Sequence, residues 1–471
     1  MVCAIMNRTR GLWGEDMLYS NKALMKMAVP LFVQQVLGIT IGMIDTMMVS
    51  SAGEAAVSGV SLVNSLDQML VIIFSSITIG GTVVVSQFFG AKDEIAARGS
   101  AKQLLYAAVF MACCVTFFSQ IFRKALLFTL FGDVEADVMQ SANDYFFYVS
   151  LSFPLLAISS SCEAIRRVEG KTTATTIVLV FANLLNVSGN AILILGYGMG
   201  AAGAAIATLI SRSAAAITLL VLSSQKNNVL RLERLFHYKP DFPVIRKILR
   251  IGIPNGIENG MLNLGRLLTQ SLIATLPTTM IAANAVANSL ANYQYMPGTA
   301  LSGVMIPVVG RCIGAHKRDE AKYYTKKLML WTYISLWVVA TATFFGADLL
   351  IGGYELAEQS AKVAKQLICY HLVMEVVLWP IGFTLPNAFR AAGDVKITMV
   401  VSVLSLWLFR ICLSYFLVLP EVPIFGLVLP GMDLGAMGVW VAMTIDWVFR
   451  VSIYIPHFLS GKWLRKASLA D

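Results

Sequence analysis

The chain repeats itself at a constant offset, and this repeat constrains its fold more than any other feature. Three residues of the first half recur 224 positions later: Pro30 as Pro254, Asn64 as Asn288 and Gly90 as Gly314. A constant offset over about sixty residues indicates a duplicated structural unit rather than a chance match of short words. We therefore expect two related halves of similar size.

The chain is too apolar to bury its hydrophobic residues in the core of a water-soluble protein. Hydrophobic residues make up 57% of the 471 residues, charged residues only 13%, and the mean hydropathy is +0.72. About twenty apolar residues cross a bilayer as a helix, and we count twelve such runs. They lie at roughly 23–49, 57–88, 101–122, 143–165, 173–196, 201–222, 251–276, 281–310, 328–346, 366–389, 397–419 and 434–458. The sequence predicts an all-α integral membrane protein with twelve transmembrane helices.

The twelve runs divide into two six-helix repeats. Residues 1–223 form the first lobe, 224–250 a basic linker and 251–471 the second lobe. An even number of helices gives both repeats the same orientation, so they should be parallel and related by an axis along the membrane normal. Near the end of each half the offset grows to 235, where Gly200 corresponds to Gly435.

The basic residues predict the orientation in the bilayer. Placing the N-terminus in the cytoplasm puts 28 of the 36 Lys and Arg residues on that side. Positive charge accumulates on the cytoplasmic side of membrane proteins, so we expect both termini there and a plasma (inner) membrane location. The net charge of +9 is split among short loops, which argues against a nucleic-acid surface. Residues 1–21 lack an apolar core, so no signal peptide is expected.

No motif of an enzyme or of an ATP-driven motor is found. The seven Cys and four His are dispersed without metal-ligand spacing, and no phosphate-binding glycine loop occurs. A membrane enzyme such as an acyltransferase would need a His- or Asp-centred motif at a membrane face. We expect no cofactor, and an ion gradient or a partner must supply energy.

Asp45 is the first candidate for function, because an ionisable group in lipid is costly and is usually functional or paired. The fifth run carries Asn183, Asn186 and Asn190 on one helical face, with Asn190 at a depth comparable to that of Asp45. The set could hold Na⁺ at Asp45, Asn186 and Asn190, or Asp45 could take a proton. The alternative is a hydrogen-bonded seam between two helices. The second half has Thr269 at the equivalent of Asp45.

Two acids of the second half could form another cation or substrate site. Glu258 lies in the inner half of the seventh run with no obvious base at its depth, which favours a function. Glu375 lies near mid-membrane in the tenth run, where Arg266 or Arg410 could instead pair with it. The remaining membrane acids are interpreted as paired: Asp67 with Arg212, Asp446 with Arg410 or Arg450, and Glu163 with Arg166 and Arg167.

Four side chains are predicted to line a substrate cavity: Gln34, Met43, Asn288 and Tyr295. A flexible thioether adapts to varied apolar ligands, and an aromatic face attracts an organic cation. Packing is the alternative role for the methionines.

Several motifs together resemble the multidrug and toxic compound extrusion (MATE) family. They are Pro30 and Gln34 followed by Asp45–Val49, the pair Gln87–Ala91 and Gly310–Ala315, and the pair Arg167–Gly170 and Arg390–Asp394. The resemblance covers nearly the whole chain.

The resemblance implies a V-shaped pair of six-helix lobes that exports organic cations in exchange for H⁺ or Na⁺. It places the coupling cation at Asp45, with Asn186 and Asn190 as the accompanying polar pair. The expected partners are a small-molecule substrate and the bilayer, and the protein is expected to be a monomer. A flippase or exporter of a lipid-linked or peptide-like metabolite from the same superfamily stays open.

Overall fold

Long apolar helices make up the first half of the computed structural model, which describes residues 17–132, 134–233, 235, 240–424 and 427–464. The helices are α1 Asn21–Ser50, α2 Glu54–Gly90, α3 Glu94–Phe131, α4 Ala136–Leu151, α5 Phe153–Val168, α6 Thr172–Asn190 and α7 Gly200–Ser224. A wider helical turn, Ala191–Gly196, extends α6. We call α1–α7 the first lobe.

The second lobe repeats this arrangement with more interruptions. Its helices are α8 Phe242–Ile273, α9 Thr278–Gln294, α10 Met296–Gly314, α11 Arg318–Gly352, α12 Glu358–Trp379, α13 Leu385–Ala391, α14 Val395–Ser405, α15 Leu413–Val418 and α16 Ala436–Leu459. Wider turns at Pro380–Thr384 and Leu406–Cys412 join α12 to α13 and α14 to α15. Strands β1 Glu421–Ile424 and β2 Leu427–Pro430 pair antiparallel before α16, and a short helical turn, Lys462–Leu464, follows it.

Most of these helices are built to cross a bilayer. Within the described residues, ten helical segments are long and apolar enough to span it, and the pair α4–α5, bent by 45°, makes an eleventh. Helix α8 falls outside this group, although the seventh predicted run lies in it, because it carries several Arg and Lys residues and Glu258. The predicted all-α membrane architecture agrees with this arrangement.

The backbone preserves the sequence repeat even where the side chains differ. Left-handed conformations recur at equivalent positions: φ is 62° at Lys92 and 58° at His316, and 53° at both Gly200 and Gly435. A residue other than glycine rarely adopts the left-handed conformation. Its recurrence at Lys92 and, 224 positions later, at His316 therefore indicates two copies of one turn. The left-handed pair Gly200 and Gly435 likewise supports the offset of 235 near the end of each half.

The two lobes pack tightly where α2 meets α10, at the end of the bundle predicted to be cytoplasmic. A Cβ atom on Gly90 would collide with the backbone of Arg311, and a Cβ on Gly314 would collide with the backbone of Gln87. Gln87 and Arg311, like Gly90 and Gly314, are equivalent in the repeat. The lobes therefore exchange the same contact across their symmetry axis, and only glycine permits this approach.

Candidate functional site

A polar cavity of about 420 Å³ lies inside the first lobe. Helices α1, α2, α4, α6 and α7 surround it. Its polar lining is Asp45, Thr46, Ser61, Asn64, Asp67, Tyr145, Asn183, Asn186, Asn190, Thr208, Ser211 and Arg212. A cavity of this polarity within an apolar bundle is a natural site for a small polar ligand or ion.

The structure brings Asp45 together with the asparagines of α6. Asn190 Nδ2 donates a hydrogen bond to Asp45 Oδ1 over 2.8 Å. Asn186 and Asn190 are buried, and Asn183 lines the same cavity. The spacing of four residues places Asn186 and Asn190 one above the other on α6, so both amides reach the carboxylate of α1. Asn190 Oδ1 has no hydrogen-bond partner among the described residues.

One of the two orientations of the Asn186 amide satisfies all of its neighbours. With its nitrogen towards Asp45 it donates to both carboxylate oxygens over 3.1 Å, and its oxygen accepts from Thr208 Oγ1 and N–H over 3.3 Å. With its nitrogen towards Thr208 it donates to Thr208 Oγ1 instead, and its oxygen then faces the carboxylate. That second arrangement is disfavoured while Asp45 is ionised, because the amide oxygen faces the carboxylate and the amide nitrogen faces the Thr208 N–H.

The second acid of the cavity is already neutralised. Arg212 Nη2 lies 3.1 Å from Asp67 Oδ2, and Arg212 Nη1 donates to Ser152 Oγ over 2.8 Å. This confirms the predicted pairing of Asp67 with Arg212. Among the described residues Asp45 forms no such ion pair, so it is the cavity carboxylate available to a cation.

The sequence prediction missed other polar groups of the cavity. Tyr145 Oη donates to Asn64 Oδ1 over 3.1 Å, and Thr208 contacts Asn186. Asn64 belongs to a repeated motif, which was a usable signal. Thr208 lies three and four residues before Ser211 and Arg212 of α7, a spacing that could have indicated it, whereas Tyr145 of α4 is brought in by packing.

None of the four predicted substrate-cavity residues lines this cavity. Gln34 Nε2 donates to Thr176 Oγ1 over 2.8 Å, in a separate small cleft. Met43 and Asn288 are exposed on different lobes, and the Met43 sulfur accepts from Tyr293 Oη over 3.2 Å. Tyr295 Oη contacts His371 Nε2 at 2.9 Å inside the second lobe. These four side chains therefore lie outside the first-lobe cavity.

The expectation that Glu258 has no base at its depth is wrong. Arg390 Nη2 lies 2.7 Å from Glu258 Oε1, and Ser402 Oγ donates to the same oxygen over 2.7 Å. Arg390 of α13 and Ser402 of α14 thus meet Glu258 of α8 at one carboxylate oxygen, and α14 packs directly against α8. The ion pair removes the reason for assigning Glu258 to a cation or substrate.

Glu375 is not paired with Arg266 or Arg410, so that interpretation is also wrong. It lies 3.6 Å from His371 Nε2, four residues earlier on α12. Both residues are 1% exposed, and neither carboxylate oxygen has a hydrogen-bond partner among the described residues. Arg410 instead lies 3.9 Å from Asp446.

The other predicted pairs are confirmed, except that Arg166 donates to the Leu222 carbonyl rather than pairing with Glu163. Arg450 Nε donates to Asp446 Oδ1 over 3.0 Å, in addition to the longer contact from Arg410. Arg167 lies 3.9 Å from Glu163 on α5.

Two lobes of membrane-spanning helices, with an ionisable side chain inside one of them, are typical of secondary transporters. The MatE family model matches residues 30–192 and 254–416, two segments again separated by 224 positions. The chain therefore belongs to the MatE family of membrane transporters and is not an enzyme.

Relatives of known sequence match along nearly the whole chain. A probable multidrug resistance protein NorM of Thermotoga maritima is 25% identical over 463 residues, which cover 97% of this chain and 96% of the relative. An uncharacterized transporter, YisQ, of Bacillus subtilis is 27% identical over 456 residues, covering 94% and 95%.

Solved structures show the same fold at low identity. A crystal structure of a MATE protein in complex with MaL6 matches with a TM-score of 0.85 at 17% identity, covering 94% of this chain and 97% of that one. An outward-facing multidrug resistance MATE transporter of the MOP superfamily matches with a TM-score of 0.83, covering 94% and 96%. These matches confirm the predicted two-lobed membrane fold.

Proposed function

We propose that the chain is an antiporter that exports amphiphilic organic cations, as in multidrug efflux, in exchange for inward H⁺ or Na⁺. The observation that carries the proposal is the Asp45 carboxylate, which lies in the first-lobe cavity without a cationic partner. Relatives named as multidrug resistance proteins support the substrate class. The proposal places both termini in the cytoplasm of a plasma-membrane protein that works as a single chain.

The ion is proposed to bind where the amides of α6 meet Asp45. A proton would neutralise the carboxylate and let Asn186 turn its oxygen towards it. Na⁺ prefers hard oxygen ligands, as other hard cations do, so it would require oxygens rather than nitrogens from Asn186 and Asn190. Asn190 Oδ1, which is unpartnered, is then a ligand after the amide rotates. Both ions would thus change the same hydrogen bonds.

Coupling follows if the ion and the substrate stabilise opposite-facing states or compete for the same negative charge. A ligand shifts a two-state equilibrium only by its difference in affinity for the states. Moving one charge across 100 mV contributes about 2.3 kcal/mol, which is enough to bias such an equilibrium strongly. Glu375, whose two carboxylate oxygens have no hydrogen-bond partner among the described residues, is proposed as a second ion site in the other lobe.

The test is transport of a fluorescent organic cation into everted vesicles, which corresponds to export from the cytoplasm, with a pH gradient and a Na⁺ gradient imposed separately. We expect one gradient to drive transport by the wild type and Asp45→Asn to abolish it. Asp348→Asn is the matched control, because Asp348 is exposed and pairs only with a surface lysine. Gradient-driven efflux by Asp45→Asn at the wild-type rate would refute the proposed site, and efflux of anions alone would refute the substrate class.

A further inference from the structure

The segment ahead of α1 is connected to the first lobe but is bound to the second. The backbone N–H of Tyr19 donates to Tyr324 Oη over 2.8 Å, and the Tyr324 hydroxyl donates to the Tyr19 carbonyl over 2.8 Å. The N–H of Leu18 donates to Glu320 Oε2 over 3.2 Å. Both Tyr324 and Glu320 lie on α11. One hydroxyl therefore satisfies both backbone groups of Tyr19 from across the lobe boundary.

The Tyr19 side chain strengthens this attachment. It is only 7% exposed, and its ring meets that of Tyr324 edge-on with centroids 5.8 Å apart. The guanidinium of Arg311, on α10, lies 5.4 Å from the Tyr19 ring and 4.5 Å from the ring of Phe89, on α2. A cation of the second lobe is thus held between two aromatic rings of the first, in contacts that are favourable when desolvated.

These contacts lie where the lobes approach most closely, beside Gly90 and Gly314. We propose that residues 17–20 form a latch that holds the cytoplasmic side of the transporter shut, and that its release accompanies opening of that side. The proposal rests on the proposed function in assuming that the lobes rock apart. Opening must break the hydrogen bonds to Tyr324 and withdraw Arg311 from between the rings.

Tyr324→Phe tests the latch, because it removes the hydroxyl and keeps the ring. Tyr323→Phe is the matched control, since within the described part of the chain the hydroxyl of Tyr323 has one hydrogen bond, accepted from Lys327 over 3.4 Å. Loss of hydrogen bonds of this kind should raise the ratio of open to closed molecules about tenfold. The labelling rate of a buried thiol by a charged reagent follows that ratio, even when the open state is rare.

Two thiols distinguish release of the latch from separation of the lobes. Each is studied alone, in a variant without other cysteines. Cys312 is wholly buried and lies close to Tyr19 and Tyr324, so it reports release of the latch. A cysteine introduced as Ser76→Cys reports separation of the lobes, because Ser76 is 2% exposed and accepts a 3.3 Å hydrogen bond from Asn255 of α8. The reagent is applied to the cytoplasmic face of everted vesicles.

We expect Tyr324→Phe to accelerate labelling about tenfold at both thiols, with Tyr323→Phe unchanged. Faster labelling at Cys312 alone would overturn the proposal, because the latch would then open without moving the lobes. Unchanged labelling at both thiols would overturn it as well. Neither measurement requires a substrate or an ion gradient, so failure of the antiporter proposal leaves a different signature, namely absent efflux with latch-dependent labelling.

Discussion

The ion pair between Glu258 and Arg390 makes a quantitative prediction about the second lobe. Glu258 is 3% exposed and Arg390 is 9% exposed, and their closest atoms are 2.7 Å apart. Glu258→Gln keeps the shape and the acceptor for Ser402 but leaves the arginine charge uncompensated. Arg390→Gln leaves the carboxylate uncompensated in the same way.

The expected cost follows from the burial of both charges. With the charges about 4 Å apart and an effective dielectric constant of about 20, the attraction is about 4 kcal/mol. Removing one partner of a buried pair typically costs about 3–5 kcal/mol, because the other charge stays buried. We therefore expect either single variant to lose about 3–5 kcal/mol of unfolding free energy. The double variant should lose much less than the sum, because no uncompensated charge remains.

The assay is equilibrium unfolding in mixed micelles, followed by tryptophan fluorescence, for the two single variants and the double variant. Asp348→Asn is the control, since that exposed acid should leave the transition unchanged. The reasoning is refuted if the two single losses add in the double variant to within about 0.5 kcal/mol. It is equally refuted if Glu258→Gln alone unfolds like the wild type.

Two further substitutions probe packing. Gly314→Ala places a Cβ against the backbone of α2 and should disfavour the closed cytoplasmic side by about 1–3 kcal/mol. The expected result is a longer distance between spin labels on α3 and α11. Gly352 has open space around it, so Gly352→Ala should leave that distance unchanged. Trp440→Phe removes the indole N–H that donates to the buried Asn284 Oδ1 over 3.0 Å. It should lower the unfolding free energy by about 1–3 kcal/mol in the same unfolding assay. Trp337 is exposed, so Trp337→Phe should cause no measurable loss.

The contact between Asp45 and Asn190 could be predicted from the sequence because it depends on local geometry. The spacing of four residues on α6 fixes which asparagines share a face, and counting from the helix ends fixes their depth. The same counting explains why Gln34 is elsewhere. Eleven residues return to nearly the same helical face, but they also advance about 16 Å along the axis, so Gln34 faces another part of the lobe.

The partners of the second-lobe acids show two different limits. His371 lies four residues before Glu375, so their proximity was available from helical spacing alone. Arg390 is 132 positions from Glu258, and it follows the wider turn Pro380–Thr384 in the chain. Counting residues from a helix end assumes a regular helix. A wider turn changes both the depth of the following side chains in the membrane and the side of the helix on which they lie.

The sequence by itself determined the repeat, the membrane-spanning helices and the candidate carboxylate Asp45, because hydrophobic periodicity and the cost of charge in lipid act along the chain. Only the tertiary structure decided that Arg390 neutralises Glu258, that Asp45 has no cationic partner among the described residues, and that Tyr19 is held by the opposite lobe. The Glu258–Arg390 and Tyr19–Tyr324 contacts join residues 132 and 305 positions apart. Their energies depend on distances of a few ångströms, which interhelical packing sets and no pattern along the chain records.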